Sequence, residues 1–585
     1  MHGWTGRILH LDLSTGTTRV EEPPREFYER WIGGKGMAGF YLRDRITLPW
    51  DDPEMPLLFL TGPLVGTPSP TAGRWTVASR SPLTGTVCDT SVGGQFGFQL
   101  KRAGWDGIVI TGKAPRLTGL VIRDDQVEIA DASQMQGWET SQVLAAFPEK
   151  KGSTSAVGPA AERGVRFAAI CTDHHHFSGR GGLGLVMGVK NLKYIHVEGS
   201  GKVSLADPDA VAEASRQIYR LAATAPILMG EFGITNYGTE AVFDLMDIRR
   251  MMPTDNFRAT WFEGTRKVNA WSLHHKYDPK KSGCAACRIR CKMVAKDGRS
   301  LPEFESLNHF TALLRNDDPE AAVEANRVCN ETGMDTISAG AVLACYQEVT
   351  GKRLSPEEIP ALLSDIGLAR GEGAELALGA KRFAESRGKP QAAMTVKGLE
   401  LPAYDPRGAY GMALGYAVAT RGGCHLRAYP ISHEILRKPV ATDRFSFAGK
   451  ARIVKISEDI NAAVDSLTAC KFLFFAASLE EFAKAFEGVT GLPATAQDLM
   501  HAGERFYYHE RLMNWWNGFT AEDDDLPERF FKEPGTSGDG IEIEPIDREE
   551  FLRARAAYYK VRGLDEKGVP TREKCRELGL QWKDS

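Results

Sequence analysis

Apolar positions along the chain fall into two textures. Over residues 1–204 they come in short runs broken by Gly, Pro and Ser: RILHLDL, PLLFLTG, RWTVAS, DGIVITG, TGLVIRD, VRFAAICT and YIHVEG. Runs of that length and punctuation predict β-strands, with few helices between them. From residue 205 the apolar residues recur at helical spacing. Segments such as ADPDAVAEASRQIYRLAATA, PEAAVEANRVCNETG, TISAGAVLACYQEVTG and SLEEFAKAFEGVTG carry Asp or Ser near their starts and Gly at their ends, the usual start and stop signals of helices. The chain therefore reads as an α+β multidomain protein. A β-rich domain covers 1–204, and two largely α-helical domains cover 205–400 and 401–585, divided at the Pro- and Gly-rich break LPAYDPRGAYG (401–411). No fixed-period repeat or low-complexity tract is present. The acidic stretch AEDDDLPERF (521–530) predicts a solvated face.

Length supports this division, since 585 residues exceed what one core can organise. With 42% hydrophobic residues, 25% charged residues and a net charge of -4, the composition shows no bias toward nucleic acid or an anionic membrane. The N-terminus, MHGWTGRILHLDLSTGTTRV, alternates like a strand and lacks the pattern of a signal peptide, and no run of about 18 apolar residues appears. A cytoplasmic protein is expected. The 60 glycines are the unusual count, about 10% of the chain against a background of roughly 7%. Backbone that must turn tightly or lie close to a large ligand needs them.

Ten cysteines in an intracellular chain point to metal before disulfides. Cys284, Cys287 and Cys291 form C-x2-C-x3-C, which puts three thiolates on one tight loop, where they can hold three corners of an iron–sulfur cubane. Zinc competes, but structural zinc usually takes its ligands in pairs from two knuckles, and no second C-x2-C exists. A fourth ligand must come from elsewhere. Spacing alone does not choose among Cys88, Cys171, Cys329, Cys345, Cys424, Cys470 and Cys575, most of which suit the role of small buried hydrophobes.

A glycine-rich loop follows VRFAAICT, with Arg180 set among Gly179, Gly181, Gly182, Gly184 and Gly188. Bare amides beside a guanidinium suit a phosphate or pyrophosphate. A Rossmann reading, with Glu198 as the ribose-binding acid, fails because the intervening helix is short and no further βαβ units follow. An ordinary glycine turn is the competing reading. His174, His175 and His176 look like a metal site, yet on a strand only the first and third would share a face, so a surface strand end is expected.

Taken together, several fragments resemble the tungsten-containing aldehyde ferredoxin oxidoreductases, and in the same order: GWTGRILHLDLSTG, TAGRWTVASRSPLTG, GGQFGFQLKRAGWDGIVITGKA, GRGGLGLVMGVKNLK, the cysteine loop, LPEFES, TGMDTISAG, LPAYDPRG, RGGCH and DSLTAC. The resemblance covers essentially the whole chain. It implies a β-rich base that carries a bis-pterin tungsten cofactor, covered by two helical domains. In the family the metal is held by dithiolene sulfurs and by no protein side chain. Pterin and phosphate contacts map onto Arg74, Gly93, Gly179 and Arg180, and onto Asp335, Asp465 and Ala469. The resemblance makes Cys470 the fourth ligand of a [4Fe–4S] cluster. It also leaves room for molybdenum in place of tungsten and for a magnesium ion bridging the pterin phosphates.

Three departures from the family pattern fall at cofactor positions. Ser91 stands where Asn is usual, His176 where Arg is common before the glycine loop, and Asn330 replaces an acid in NETGMD, so that a neutral amide would accept without charge assistance. Some family members hold a metal between subunits. Glu324 matches one ligand, but no histidine lies between His309 and His425, and that metal is not expected.

Oxidation of an aldehyde to a carboxylic acid needs an electrophilic centre, a proton acceptor and a sink for two electrons. By resemblance the acid–base groups are Glu305 in LPEFES and His425 in RGGCH. A Glu in a dry pocket has a raised pKa, and an imidazole can hydrogen-bond and shuttle a proton. Glu305 could instead cap the following helix, Glu303 is the same residue type two positions away, and His425 could be a satisfied core histidine. Electrons would pass to ferredoxin or to a ferredoxin-like subunit, in a homodimer or hetero-oligomer. Two other functions stay open: a reductive tungstoenzyme acting on a carboxylic acid or activated aromatic, and a non-catalytic iron–sulfur electron-transfer subunit.

Overall fold

The structure is a computed structural model that describes residues 1–148, 151–535 and 542–583. Its N-terminal part holds two six-stranded sheets. One contains β1 (Ile8–Asp12), β2 (Thr17–Glu21), β3 (Leu57–Leu60), β4 (Trp75–Arg80), β5 (Val87–Val92) and β6 (Gly107–Thr111), in the order β2-β1-β6-β3-β4-β5. The other contains β7 (Thr118–Arg123), β8 (Gln126–Asp131), β9 (Ser153–Val157), β10 (Ile170–Thr172), β11 (His176–Ser178) and β12 (Leu192–Glu198), in the order β11-β10-β9-β12-β7-β8. Each sheet has one parallel pair, β1 with β6 and β12 with β7, and is otherwise antiparallel. One apolar core, which includes Phe59, Trp75, Ile108, Leu120, Val157 and Ile195, runs from sheet to sheet.

Beyond β12 the chain is mostly helical, and its helices begin and end where local chemistry requires. Asp207, Asp318, Asp335 and Ser478 accept hydrogen bonds from the first free amides of Pro208–Ala223, Pro319–Thr332, Thr336–Thr350 and Leu479–Thr490. Gly333, Gly351 and Gly491 close the last three in the left-handed conformation. The architecture is an α+β multidomain fold with its mixed sheets first and its helical parts after.

Segment 401–411 is buried along its whole length, so its Pro and Gly residues shape an interior crossing. The acidic stretch departs from expectation. Asp524 is fully buried, paired to Arg511 and to Lys397 at 2.7 Å, and accepts from Tyr559 Oη at 2.8 Å. Only its neighbours Glu522 and Glu528 are exposed. Two cations and a phenol compensate this carboxylate, which a solvated face would not need.

Of the histidine triplet, His174 and His175 lie in a turn and His176 is the first residue of β11. Asp173 and His174 have φ of 48° and 63°, which reverses the chain between β10 and β11. His175 is thereby turned to Ser300 Oγ at 2.7 Å, and His176 alone enters the buried site.

One close approach ties the N-terminal sheets to the last helical part. The end of Lys450–Leu467 lies against Gly34 and Gly62, where an added Cβ would stand 2.3 Å from Asp465 O and 2.6 Å from Ser466 O. Any larger residue at these positions would lift DSLTAC off the β-domain.

Candidate active site

Four thiols converge where the two halves meet. Cys284, Cys287 and Cys291 lie on loop 283–291, which joins the short strands Lys280–Ser282 and Lys292–Val294. Ala286 and Arg290 sit in the left-handed region with φ of 53° and 52°, so the loop is wound tighter than non-glycine residues prefer. Cys470 arrives from DSLTAC, with its amide donating to Thr71 Oγ1 at 3.1 Å. The remaining cysteines are all buried. Burial pushes the Cys287 thiol up to about 11 and the Cys291 thiol well above its ordinary range, and in both cases the other thiols of the group add to the rise.

Arg74 faces three of these thiols, those of Cys470, Cys284 and Cys291. Its Nε donates to Ser91 Oγ and its Nη2 to Ser91 O, both at 2.8 Å, while Nη1 lies 4.0 Å from Cys470 Sγ. Ser91 thus orients the guanidinium, a job its short hydroxyl performs across the β4–β5 pair, where it stands opposite Thr76. Gly93 is a second necessity. A Cβ there would fall 2.5 Å from Cys284 Sγ and 2.8 Å from His176 Nδ1. His176 Nδ1 itself lies 4.0 Å from Cys284 Sγ, and burial holds this imidazole well below its ordinary pKa and therefore neutral.

From His176, β11 leads into the glycine loop. Arg180 Nε lies 3.3 Å from Asp335 Oδ2, and its Nη2 donates to Glu400 O. Asp335 also caps its helix through Ile337 N at 3.1 Å and accepts from Ser338 Oγ at 2.8 Å. Gly179, Asn330 and Asp335 line a polar cavity of about 110 Å³ together with Lys292, Glu303 and Ser300. On the opposite side, Lys471 pairs with Asp465 Oδ2 at 2.7 Å and donates to Leu426 O at 2.8 Å, which joins DSLTAC to the His425 segment. Asp465 Oδ1 is buried without a partner, and Ala469 is buried between Asp465 and Cys470.

Glu305 and His425 form one pair. Glu305 Oε2 accepts from Ala403 N at 2.7 Å, and its Oε1, buried and without a hydrogen-bond partner, lies 3.4 Å from His425 Nε2. Desolvation pushes Glu305 up to about 8, opposed by the Ala403 amide and Arg180. Burial, with Arg180 and Arg421 beside it, pushes His425 well below its usual range. The two shifts are opposite in sign and favour the same thing, an uncharged pair with the proton on the carboxyl. Glu305 does not cap its helix, and Glu303, at the cap position, makes no capping bond and instead pairs with Lys292 at 2.5 Å.

An aromatic wall stands behind this pair. Tyr404 and Tyr429 meet hydroxyl to hydroxyl at 3.1 Å, and their rings lie 5.6 Å and 6.0 Å from the His425 ring. Sequence reasoning did not single these residues out. The available signal was their position, one inside LPAYDPRG and the other four residues after His425. Cys424 was weighed only as a cluster ligand. It accepts from Arg421 Nε at 3.1 Å, and although burial opposes ionisation, Arg421, Arg427 and Arg180 outweigh it and hold the thiol below its ordinary range.

The family model described as "Aldehyde ferredoxin oxidoreductase, N-terminal domain" matches residues 8–199, and the one described as "Aldehyde ferredoxin oxidoreductase, domains 2 & 3" matches residues 213–580. The chain belongs to the aldehyde ferredoxin oxidoreductase family. It is 37% identical to the tungsten-containing aldehyde ferredoxin oxidoreductase of Pyrococcus furiosus, with 99% of each chain covered, and equally identical to that of Thermococcus kodakarensis, with the same coverage. A WOR-like subunit of an aliphatic sulfonate oxidoreductase from Pyrococcus furiosus is 27% identical across 99% of this chain and 97% of its own. The fold of this aldehyde ferredoxin oxidoreductase family member is shared with the active-site complex BamBC of benzoyl coenzyme A reductase at a TM-score of 0.86, over 99% of this chain and 97% of that one, at 21% identity. No helix among the described residues is long and apolar enough to cross a membrane.

Proposed function

We propose that the site oxidises an aldehyde to a carboxylic acid at a tungsten bis-pterin centre and passes electrons through a [4Fe–4S] cluster to ferredoxin or a ferredoxin-like subunit. Each aldehyde, with the oxygen of one water, gives one carboxylic acid, two protons and two electrons. The residues present fit these groups. A side chain at Gly179 would meet nothing closer than Asp335 Oδ1 at 3.6 Å, Asp465 Oδ1 is a buried acceptor without a donor, and the thiols of Cys470, Cys284 and Cys291 act on Arg74. Arg74, Ser91, Gly93, His176, Gly179, Arg180, Asn330, Asp335, Asp465 and Ala469 would hold the pterins and their phosphates, and Cys284, Cys287, Cys291 and Cys470 the cluster. When bound, tungsten would supply the electrophilic centre and the two-electron sink.

The observation that carries the proposal is the Glu305–His425 pair at 3.4 Å. Glu305, once ionised, accepts the proton released as the carbonyl carbon is oxidised, and His425 orients the carbonyl oxygen by hydrogen bonding. Tyr404 and Tyr429 keep water out and give the substrate's carbon chain an apolar surface. The test is an anaerobic assay of metal-analysed protein with a panel of aldehydes and a viologen dye, following carboxylate formed against dye reduced. Two dye equivalents per carboxylate is the expected result. Tungsten-loaded protein that reduces a carboxylic acid or activated aromatic, yet oxidises no aldehyde, would replace this reading with the reductive one, and iron without tungsten or molybdenum would leave an electron-transfer subunit.

A further inference from the structure

We propose that the exposed face of loop 283–291, with the segments packed on it, is the docking surface for a small acidic iron–sulfur protein that collects the electrons. The proposal rests on the reading that Cys284, Cys287 and Cys291 hold a cluster, and it specifies where and by what chemistry the carrier is recognised.

The loop has two sides. Its three thiols are half-buried, with Cys284 and Cys291 toward Arg74, while Ala286, Arg288 and Arg290 are exposed to solvent. The Arg288 guanidinium carbon lies over the Tyr219 ring, 4.4 Å from its centroid, and Tyr219 Oη donates to Ala286 O at 2.9 Å, so this cation is held on the surface and not left to sweep through solvent. Arg290 Nη2 donates to Lys281 O at 2.9 Å, and Lys281 Nζ donates to Asn236 Oδ1 at 2.8 Å, which sets a second and third cation beside the first. Lys280 precedes them on the same short strand and is exposed.

None of these four cations has a carboxylate within ion-pair distance among the described residues. Nearby cations are paired: Arg216 with Glu213, Lys276 with Glu320 and Lys296 with Asp278. Unpaired positive charge is thus concentrated on the loop that carries three of the cluster thiols. An apolar element adjoins it. Phe232 is 66% exposed and stacks at 6.1 Å on Tyr237, at the end of the Ile234–Tyr237 turn, whose Thr235 donates to Ile289 O of the same loop. Tyr237 in turn lies 4.7 Å from the His274 ring, and Trp271, one helical turn before His274, is 63% exposed.

A small apolar centre flanked by uncompensated cations fits the geometry of a transient redox encounter. Charge steers and orients the partner, and the contact stays small enough to release it. The whole chain is mildly negative, at -4, so the positive field is a local property of this face. A carrier that takes one electron at a time must visit twice per aldehyde, and a weak, steered complex meets that need.

The test uses the holoenzyme prepared anaerobically and a purified acidic [4Fe–4S] ferredoxin. Its binding is measured by biolayer interferometry across a salt series, beside aldehyde-driven reduction of the ferredoxin and of methyl viologen. Lys281→Glu combined with Arg288→Glu should weaken ferredoxin binding and raise its KM by about tenfold or more, and flatten the salt dependence, while viologen turnover stays within about twofold of the parent. Phe232→Ser, which removes the ring and adds no charge, should weaken binding without altering the salt slope. Ferredoxin binding that is unchanged in both variants overturns the proposal. If the charge-reversed chain also loses viologen turnover, the Phe232 variant and the parent's own salt series decide, and a parent affinity indifferent to salt overturns it. Failure of the underlying reading looks different: no aldehyde reduces viologen with the parent protein, whatever its binding to ferredoxin.

Discussion

Glu305 Oε1 lies 3.4 Å from His425 Nε2, with the carboxyl pushed up to about 8 and the imidazole held well below its ordinary range, so burial keeps the pair uncharged. A single amide, Ala403 N, is the only hydrogen bond recorded for the carboxyl group among the described residues. That leaves Oε1 free to face a reacting proton.

Replacing Glu305 with Gln keeps the size and reach of the side chain but removes its ability to accept a proton. The expected outcome is a loss of about 10² to 10⁴ in kcat, roughly 3 to 5 kcal/mol of transition-state stabilisation, with metal content and Tm near the parent values. Glu303→Gln, which weakens the ion pair with Lys292 and leaves the Glu305–His425 pair in place, should leave kcat almost unchanged. Equal loss in both variants would point to damage to the helix start and not to lost acid–base chemistry.

The direction of the Glu305 shift fixes a pH profile. A base must be ionised to act, and a raised pKa means that it becomes ionised late, so kcat/KM should climb with pH along a limb centred near about 8. The profile of Glu305→Gln should lack that limb. Measuring initial rates with viologen from about pH 6 to about pH 10, roughly two units either side of the limb, checks this.

Cys470→Ala should remove or alter the reduced-state EPR signal of the cluster. Cys345 is buried, with Sγ 3.8 Å from Ala380 O, and Cys345→Ala should leave the signal intact. Retention in the first variant with loss in the second would transfer the fourth ligand elsewhere.

Asp524 predicts a stability effect far from the chemistry. Its burial favours the neutral acid, but Arg511 and Lys397 outweigh that and hold the carboxyl below its ordinary range. A depressed folded pKa contributes stability that is present above the unfolded value of about 3.9 and lost as pH falls through the folded one. Asp524→Ala leaves two buried cations uncompensated and should cost about 3 to 5 kcal/mol in denaturant unfolding near neutrality, where Glu522→Ala should cost under about 0.5.

What the sequence disclosed depended on the range of the interaction. Helix ends were legible because Asp207, Asp318 and Ser478 act on amides two or three residues away, and Gly333 or Gly351 on its own helix. The cysteine loop was legible because spacing alone builds it. Glu305 and His425 lie 120 residues apart in sequence, and nothing local links them, so only likeness to a family suggested that they work together. Burial of Asp524, the turn through His174 and the Tyr404–Tyr429 contact were not legible for the same reason, since each depends on packing between distant segments. The unpaired charge around Arg288 became visible only once its neighbours were seen to be paired.

The most direct test of aldehyde oxidation with electrons delivered to a cluster is a single anaerobic titration. Oxidised protein of known tungsten and iron content is mixed with aldehyde, without dye, and followed by EPR. The account predicts about four irons and one tungsten per chain, and a reduced-cluster signal that grows with aldehyde and is abolished in Cys470→Ala. Fully loaded protein whose cluster stays oxidised with every aldehyde tried, yet is reduced at once by dithionite, would contradict it.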